Sequence, residues 1–159
     1  MNVEKIFLIG FMGVGKTYLG QMLADNLNTR FFDIDLEIEK KLELQVNDIF
    51  SNLGEAKFRE IESDILQNWK SNGVISTGGG IILDKKNRKI LKKEDCKVIW
   101  LNPSWEVIRS RIVNSYRPIV LQRTEDELYQ LWADRHLLYK KCADIIFEGN
   151  DVNELKKLL

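Results

Sequence analysis

The segment from Gly10 to Thr17, GFMGVGKT, fits the pattern G-x-x-x-x-G-K-[ST], which is typical of loops that hold phosphate. In such a loop, consecutive backbone N–H groups turn inward around the phosphates, and the helix that follows adds the positive end of its dipole. Lys16 would reach the terminal phosphates, and the hydroxyl of Thr17 would ligate Mg²⁺. The remaining loop residues expected against the nucleotide are Met12, Gly13, Val14 and Gly15. The pattern predicts a nucleoside triphosphate and leaves the reaction open.

Two acids, Asp33 and Asp35, follow the second apolar run of the chain. Alternate residues at the end of a strand point to the same side, so we expect both carboxylates to face one crevice. One carboxylate would hold the water shell of Mg²⁺, and the other would accept a proton from the hydroxyl of an acceptor. The alternative is an ordinary helix N-cap followed by a surface acid.

Two arginines, Arg59 and Arg135, lie in segments with helical periodicity. Each of them alone also fits a solvated helix face. A guanidinium is a planar fork that matches a carboxylate better than a lysine does. Together with the bare backbone N–H groups of Gly78, Gly79 and Gly80, the two arginines would suit a small polyol that carries a carboxylate.

Arg117 precedes Pro118 in a stretch, 114–124, that has no apolar periodicity. A segment of this kind between two helices is typical of a lid that closes over nucleotide phosphates. Closure would exclude water and bring positive charge to the phosphoryl group in transfer. A plain surface loop is the alternative interpretation.

Short apolar strands alternate with helical segments along the chain, which predicts an α/β fold with a parallel sheet covered on both faces. The predicted strands span 5–9, 30–35, 74–77, 97–101 and 143–148, and the predicted helices span 16–27, 36–44, 47–53, 55–70, 84–91, 104–113, 125–141 and 152–159. Ligands of such sheets collect at the carboxyl ends of the strands. The glycine loop, the paired acids and the glycine turn should therefore converge.

Composition narrows the functional classes further. The chain has 159 residues, which fits one domain of about 100–200 residues. Its 24 basic residues balance 24 acidic ones, so no overall field favours nucleic acid or a membrane surface. No apolar run approaches the roughly 18 residues of a membrane span, and no secretory signal is present, so we expect a cytoplasmic protein. The absence of an N-K-x-D motif argues against a GTPase.

Taken in order, the motifs GFMGVGKT, DID, GEAKFREIE, TGGG, RP and ADRHLLY resemble the shikimate kinase family over essentially the whole chain. The resemblance implies a P-loop kinase of the nucleoside-monophosphate-kinase-like fold: three α/β/α layers around a five-stranded parallel sheet of order 2-3-1-4-5. It implies one domain, 1–159, with an acceptor-binding region at about 33–62 and a mobile lid at about 112–124. The implied reaction transfers the terminal phosphate of ATP, with Mg²⁺, to the 3-hydroxyl of shikimate, in the route to chorismate. We expect a monomer.

The resemblance also implies roles for individual residues. Asp35, Arg59, Gly79 and Arg135 would contact shikimate, with Asp35 as the base and the two arginines on the carboxylate. Asp33 would orient Mg²⁺ through water, Thr17 would ligate it, and Lys16 and Arg117 would stabilise the moving phosphoryl group. Glu62 would brace Arg59.

On the nucleotide side, both Arg109 and Arg111 are available where the family places an arginine against adenine, and spacing does not decide between them. Arg111 is our candidate, together with Asn150 in the segment EGNDVNEL. Two alternatives remain open at the level of sequence. One is a kinase of the same fold with another acceptor, such as gluconate or a nucleoside monophosphate. The other is a nucleotide-binding protein that regulates a partner.

Overall fold

The structure is a computed structural model and describes residues 5–159. Its five strands form one parallel sheet, and their order, 2-3-1-4-5, confirms the expected topology. The strands are β1 (Lys5–Ile9), β2 (Phe31–Asp33), β3 (Gly73–Ser76), β4 (Cys96–Leu101) and β5 (Ile145–Phe147). In the sheet, β3 lies between β2 and β1. The loops that follow these three strands therefore share one edge of the sheet.

Helices cover both faces of the sheet. They are α1 (Lys16–Asn26), α2 (Ile34–Leu42), α3 (Val46–Gln67), α4 (Lys85–Leu91), α5 (Trp105–Ile112), α6 (Pro118–Leu121), α7 (Glu125–Cys142) and α8 (Val152–Lys156), with a 3₁₀ turn at Ile81–Leu83. None of the helices within residues 5–159 has the length and apolarity needed to cross a membrane.

Strand β1 is continuously apolar because both of its faces are buried. Ile6 and Leu8 pack into a core with α1, α5 and α8, while Phe7 and Ile9 pack into a second core with α2, α3, α4 and α7. Successive side chains of a strand point to opposite faces, and both faces are buried here. The result is the three-layer arrangement that the alternating pattern predicted.

The junction of β2 and α2 differs from the prediction. The strand ends at Asp33 instead of 35, and Asp33 becomes the N-cap of α2, its Oδ1 accepting the N–H of Asp35 at 2.9 Å. Asp35 therefore lies in the first turn of a helix and not at a strand end. The expected strand-end alternation was wrong, because an aspartate that caps a helix satisfies N–H groups that a longer strand would not.

Two further boundaries differ in detail. The predicted break at Gly54 is confirmed by its non-helical backbone (φ 81°, ψ 167°), so α3 consists of two helical segments that meet at a kink. Within the stretch for which no periodicity was predicted, the short helix α6 begins at Pro118. Proline suits this first position, since its missing N–H would have no partner within the helix.

Candidate active site

The glycine loop after β1 forms the floor of a cleft of about 890 Å³. Gly13 and Gly15 have φ values of 79° and 94°, a region that favours glycine, and α1 begins at the next residue. Lys16 Nζ donates to the carbonyl oxygens of Gly10 (2.6 Å) and Phe11 (3.0 Å). Burial lowers the pKa of Lys16 to about 8, an effect that the carboxylate of Asp35 partly offsets. All six loop residues predicted from the sequence line this cleft: Met12, Gly13, Val14, Gly15, Lys16 and Thr17.

The structure separates the two candidate arginines of α5. Arg111 lines the cleft and its Nη1 donates to the carbonyl of Gly13 at 3.0 Å. Arg109 instead contacts Glu125 at the start of α7 and does not line the cleft. Asn150 also lines the cleft, as the sequence predicted.

Two oxygen ligands lie together at the start of α1. The hydroxyl of Thr17 donates to Oδ2 of Asp33 at 3.1 Å, while Oδ1 of Asp33 caps α2. Among residues 5–159 there is no cluster of three or more histidine, cysteine or acidic side chains that could cage a metal. Mg²⁺ prefers oxygen ligands and commonly uses only one or two protein groups besides phosphates and water. The Thr17 and Asp33 oxygens therefore fit Mg²⁺ bound together with a nucleotide.

Asp35 lies where the cleft meets a second cavity. Its Oδ1 atom is shielded from solvent and has no hydrogen-bond partner among the described residues. Burial, followed by the negative charges of Asp33 and Glu62, raises the pKa of Asp35 to about 7. A carboxyl group with this pKa changes between proton donor and proton acceptor near neutral pH.

The second cavity has a volume of about 310 Å³ and opens from the cleft. Six residues line both spaces: Met12, Asp33, Asp35, Gly78, Gly79 and Arg117. The rest of its wall is partly apolar, from Val46, Phe50, Phe58 and Ile119, and partly charged, from Arg59 and Arg135. A small ligand with one apolar ring face and an anionic group would match this wall.

The two arginines that line this cavity have buried nitrogen donors without a partner among the described residues. Arg135 is 4% exposed, its guanidinium lies 5.7 Å from the ring centroid of Phe11, and its Nε and Nη1 have no partner among the described residues. Arg59 Nη1 contacts Oε2 of the buried Glu62 at 2.9 Å, as the sequence predicted, and its Nε also lacks a partner. A buried cation without an ion pair is unfavourable, so Arg135, which has none among the described residues, indicates a site for an anion.

The glycine turn after β3 completes the wall. The hydrogen bonds found among residues 5–159 leave the amide N–H groups of Gly78, Gly79 and Gly80 unused. Gly80 lies against the guanidinium of Arg59, in a space that a Cβ atom would fill. The turn thus combines backbone donors with an arginine in direct contact.

Sequence reasoning missed several residues of the site. Phe50 and Phe58 fit the apolar face of α3, and spacing alone does not distinguish a ring that lines a cavity from one that packs in the core. Tyr18 lines the nucleotide cleft although it is 68% exposed. Tyr139, which donates to the carbonyl of Gly79, follows Arg135 by four residues on α7. That spacing, which places both on one helix face, was the only available signal.

The fold and the site together define a small P-loop kinase, with a nucleotide cleft and a second cavity that meet at Asp35. A model of the shikimate kinase family matches residues 12–158. The chain therefore belongs to the shikimate kinase family, whose activity is the ATP-dependent phosphorylation of shikimate.

Individual relatives agree with this assignment. The chain is similar to a shikimate kinase of Dictyoglomus turgidum, with 42% identity over 96% of this chain and 92% of the relative. It is also similar to a shikimate kinase of Streptococcus thermophilus, with 40% identity over 87% of this chain and 86% of the relative. A solved shikimate kinase of Acinetobacter baumannii, in complex with shikimate, has a TM-score of 0.87 and 32% identity, covering 99% of this chain and 93% of that one.

Proposed function

We propose that this chain binds ATP in the larger cleft and shikimate in the smaller cavity, and that the terminal phosphoryl group passes to the 3-hydroxyl of shikimate beside Asp35. The observation that supports this proposal is that the cleft and the second cavity meet, because Asp35 and Arg117 line both of them. Phosphoryl transfer depends mainly on positioning and on stabilisation of charge. A shared wall brings donor and acceptor together without any rearrangement of the sheet.

The acceptor cavity would hold shikimate through its carboxylate. The unpaired Nε atoms of Arg59 and Arg135, and Nη1 of Arg135, offer charge-assisted hydrogen bonds to this group. The free amide groups of Gly78, Gly79 and Gly80 add neutral donors. The rings of Phe50 and Phe58 would contact an apolar face of the cyclohexene ring.

Asp35 would act as the base. Its unpaired Oδ1 offers an acceptor for a hydroxyl proton, and a pKa of about 7 leaves a substantial ionised fraction at neutral pH. Glu62 would not contact the acceptor directly, because it lines neither the cleft nor the acceptor cavity, and its Oε2 pairs with Arg59. Its role would be to hold the guanidinium in place.

On the nucleotide side, Lys16 would leave the carbonyls of Gly10 and Phe11 for the terminal phosphates, and Arg111 and Asn150 would lie beside the base. Thr17 would ligate Mg²⁺, and Asp33 would orient the ion through water, which fits their mutual distance of 3.1 Å. The chemistry that Mg²⁺ would supply there is neutralisation of the negative charge on the phosphates. The ammonium of Lys16 would also stabilise negative charge on the transferring group.

The segment 112–124 would act as a lid. Arg117 lines both spaces and is largely exposed, so a small inward movement would bring its guanidinium to the phosphoryl group. Ile119 already contributes to the wall of the acceptor cavity. Closure would therefore shield the acceptor and supply charge in one movement.

One assay tests the proposed function. ADP formation is followed with the purified chain, ATP and Mg²⁺, and shikimate, gluconate and nucleoside monophosphates are compared as acceptors. We expect ADP release that requires shikimate and Mg²⁺, and none from Lys16→Met, which controls for contaminating kinases. Release with another acceptor alone would contradict the proposed acceptor. Release with none of them would favour a nucleotide-binding regulator.

The cytoplasmic location and the monomeric state stay predictions. A small kinase that draws on the cellular ATP pool needs no export, and one copy of the chain supplies every residue that we assign to the two sites. Fractionation of cells and light scattering of the purified chain would test the two statements separately. Recovery in a membrane or exported fraction, or a dimeric mass, would contradict them.

A further inference from the structure

The hydroxyl of Tyr139 forms a hydrogen bond with the backbone of the glycine turn. Tyr139 lies on α7, is 1% exposed, and donates to the carbonyl oxygen of Gly79 at 2.5 Å. Its ring stacks on Trp100 of β4, with centroids 5.6 Å apart and an interplanar angle of 27°. Burial raises the pKa of Tyr139 to about 12, so the phenol remains a proton donor at neutral pH. The phenol of Tyr139 is thus fixed in place by packing and protonated at neutral pH.

The bond from Tyr139 fixes one particular peptide group. The carbonyl of Gly79 and the N–H of Gly80 belong to the same peptide, and no described peptide bond is cis. In a trans peptide these two groups point in opposite directions. Holding the Gly79 carbonyl toward Tyr139 therefore turns the Gly80 N–H away from α7.

Few other contacts determine the orientation of this peptide. The backbone bonds flanking the turn join Thr77 N–H to the carbonyl of Leu8, Ile81 N–H to that of Gly78 and Leu83 N–H to that of Gly80. None of them uses the carbonyl of Gly79 or the N–H of Gly80. Glycine has no Cβ to restrict φ and ψ, so a peptide between two glycines rotates more readily than others. Gly80 lines the acceptor cavity and its N–H has no acceptor among the described residues.

We propose that Tyr139 is a positioning residue for the acceptor, which orients the Gly79–Gly80 peptide so that the Gly80 N–H donates to bound shikimate. The inference rests on the proposed function, because it requires shikimate in the smaller cavity. Tyr139 lines neither cavity, so it acts through the groups that it contacts, which are the Gly79 carbonyl and the neighbouring guanidinium of Arg135. Its effect should therefore fall on shikimate, since Gly80 does not line the nucleotide cleft.

The test removes the hydroxyl alone. In Tyr139→Phe we expect the KM for shikimate to rise about 2- to 10-fold, the range for one lost hydrogen bond, with the KM for ATP unchanged within about twofold. Tyr129→Phe is the matched control on the same helix. Tyr129 packs between Trp105 and Trp132, is 47% exposed, and its hydroxyl has no hydrogen bond among residues 5–159. Both of its KM values should stay at those of the wild type.

Further measurements separate positioning from stability. Replacing Tyr139 by 4-aminophenylalanine keeps a donor at the same place and should restore the KM for shikimate. In the ¹⁵N-labelled wild type, the amide resonance of Gly80 should shift when shikimate is added, and this measurement can still contradict the inference if Tyr139→Phe does not fold. A Tyr139→Phe chain that melts earlier but keeps its KM for shikimate overturns the inference. So does an unshifted Gly80 amide in a wild-type chain that phosphorylates shikimate, a result that leaves the proposed function intact.

Discussion

The guanidinium of Arg59 lies directly on the backbone of Gly80, in the space where any other residue would carry its Cβ atom. Arg59 is anchored from the other side by Glu62, at 2.9 Å, and by the longer contact to Glu55, at 3.5 Å. The missing side chain at residue 80 therefore determines where the guanidinium lies. Two segments that are distant in the sequence meet in this contact.

Gly80→Ala should displace Arg59 from the acceptor cavity. The added methyl group would overlap the guanidinium, whose position Glu62 restricts. We expect the KM for shikimate to rise roughly tenfold, as for the loss of a charge-assisted hydrogen bond, with little change in the KM for ATP. Steady-state kinetics with each substrate varied in turn measure both values. An unchanged KM for shikimate would mean that Arg59 does not bind it.

Asp35→Asn should remove the base while leaving the nucleotide cleft in place. General base catalysis contributes about 10²- to 10⁴-fold, so we expect kcat to fall within that range. Calorimetry should give an affinity for ATP close to that of the wild type. Asp126→Asn, an exposed residue of α7, is the matched control and should keep normal turnover. If Asp35→Asn turns over at a near-normal rate, another group takes the proton.

The pH dependence of kcat/KM should have two limbs. Asp35 accepts a proton only when ionised, so kcat/KM for shikimate should rise with pH through about 7. Lys16 stabilises phosphate only when protonated, so activity at limiting ATP should fall above about 8. Saturating ATP should move the alkaline limb upward, because the phosphates favour the charged ammonium. At limiting ATP we therefore expect a narrow maximum between these two pKa values, and a single optimum below pH 6 would contradict the assignment.

Asp35→Asn should also stabilise the fold, increasingly as pH rises. The folded pKa of Asp35, about 7, is above its usual value, so between the two the folded chain binds more protons than the unfolded chain. The wild type therefore loses stability as pH rises through this window, by at most about 1.4 kcal/mol per pH unit. Asn does not titrate. Chemical denaturation should show a larger advantage of the variant at pH 8 than at pH 5, and an equal advantage at both would argue against a raised pKa.

Arg111 and Arg109 offer a matched pair on one helix. Arg111→Ala removes a guanidinium that bonds Gly13 of the phosphate loop, and we expect the KM for ATP to rise about 3- to 10-fold. Arg109→Ala removes only an exposed contact to Glu125 and should leave the KM for ATP unchanged within about twofold. The KM for shikimate should stay constant in both. The reverse order of effects would place the adenine beside Arg109.

Local features of the sequence predicted most of the elements. The apolar runs became strands because both faces of the sheet are buried, and the amphipathic segments became helices with their apolar faces on the two cores. The end of β2 was not predictable in this way, since strand alternation and the capping preference of Asp33 favoured different boundaries. The order of the strands came from the resemblance to a family. Short apolar strands do not encode which neighbours they pair with.

The sequence by itself determined the phosphate loop, the acids, the arginines and the glycine turn, because these depend on residue types at fixed local spacing. The tertiary structure alone decided that Arg111 and not Arg109 lines the cleft, that Arg59 lies on Gly80, and that Tyr139 reaches the carbonyl of Gly79, 60 residues away. Such contacts depend on how helices on one face of the sheet pack against loops at its edge. Sequence spacing limits the choices, and only the packed core selects among them.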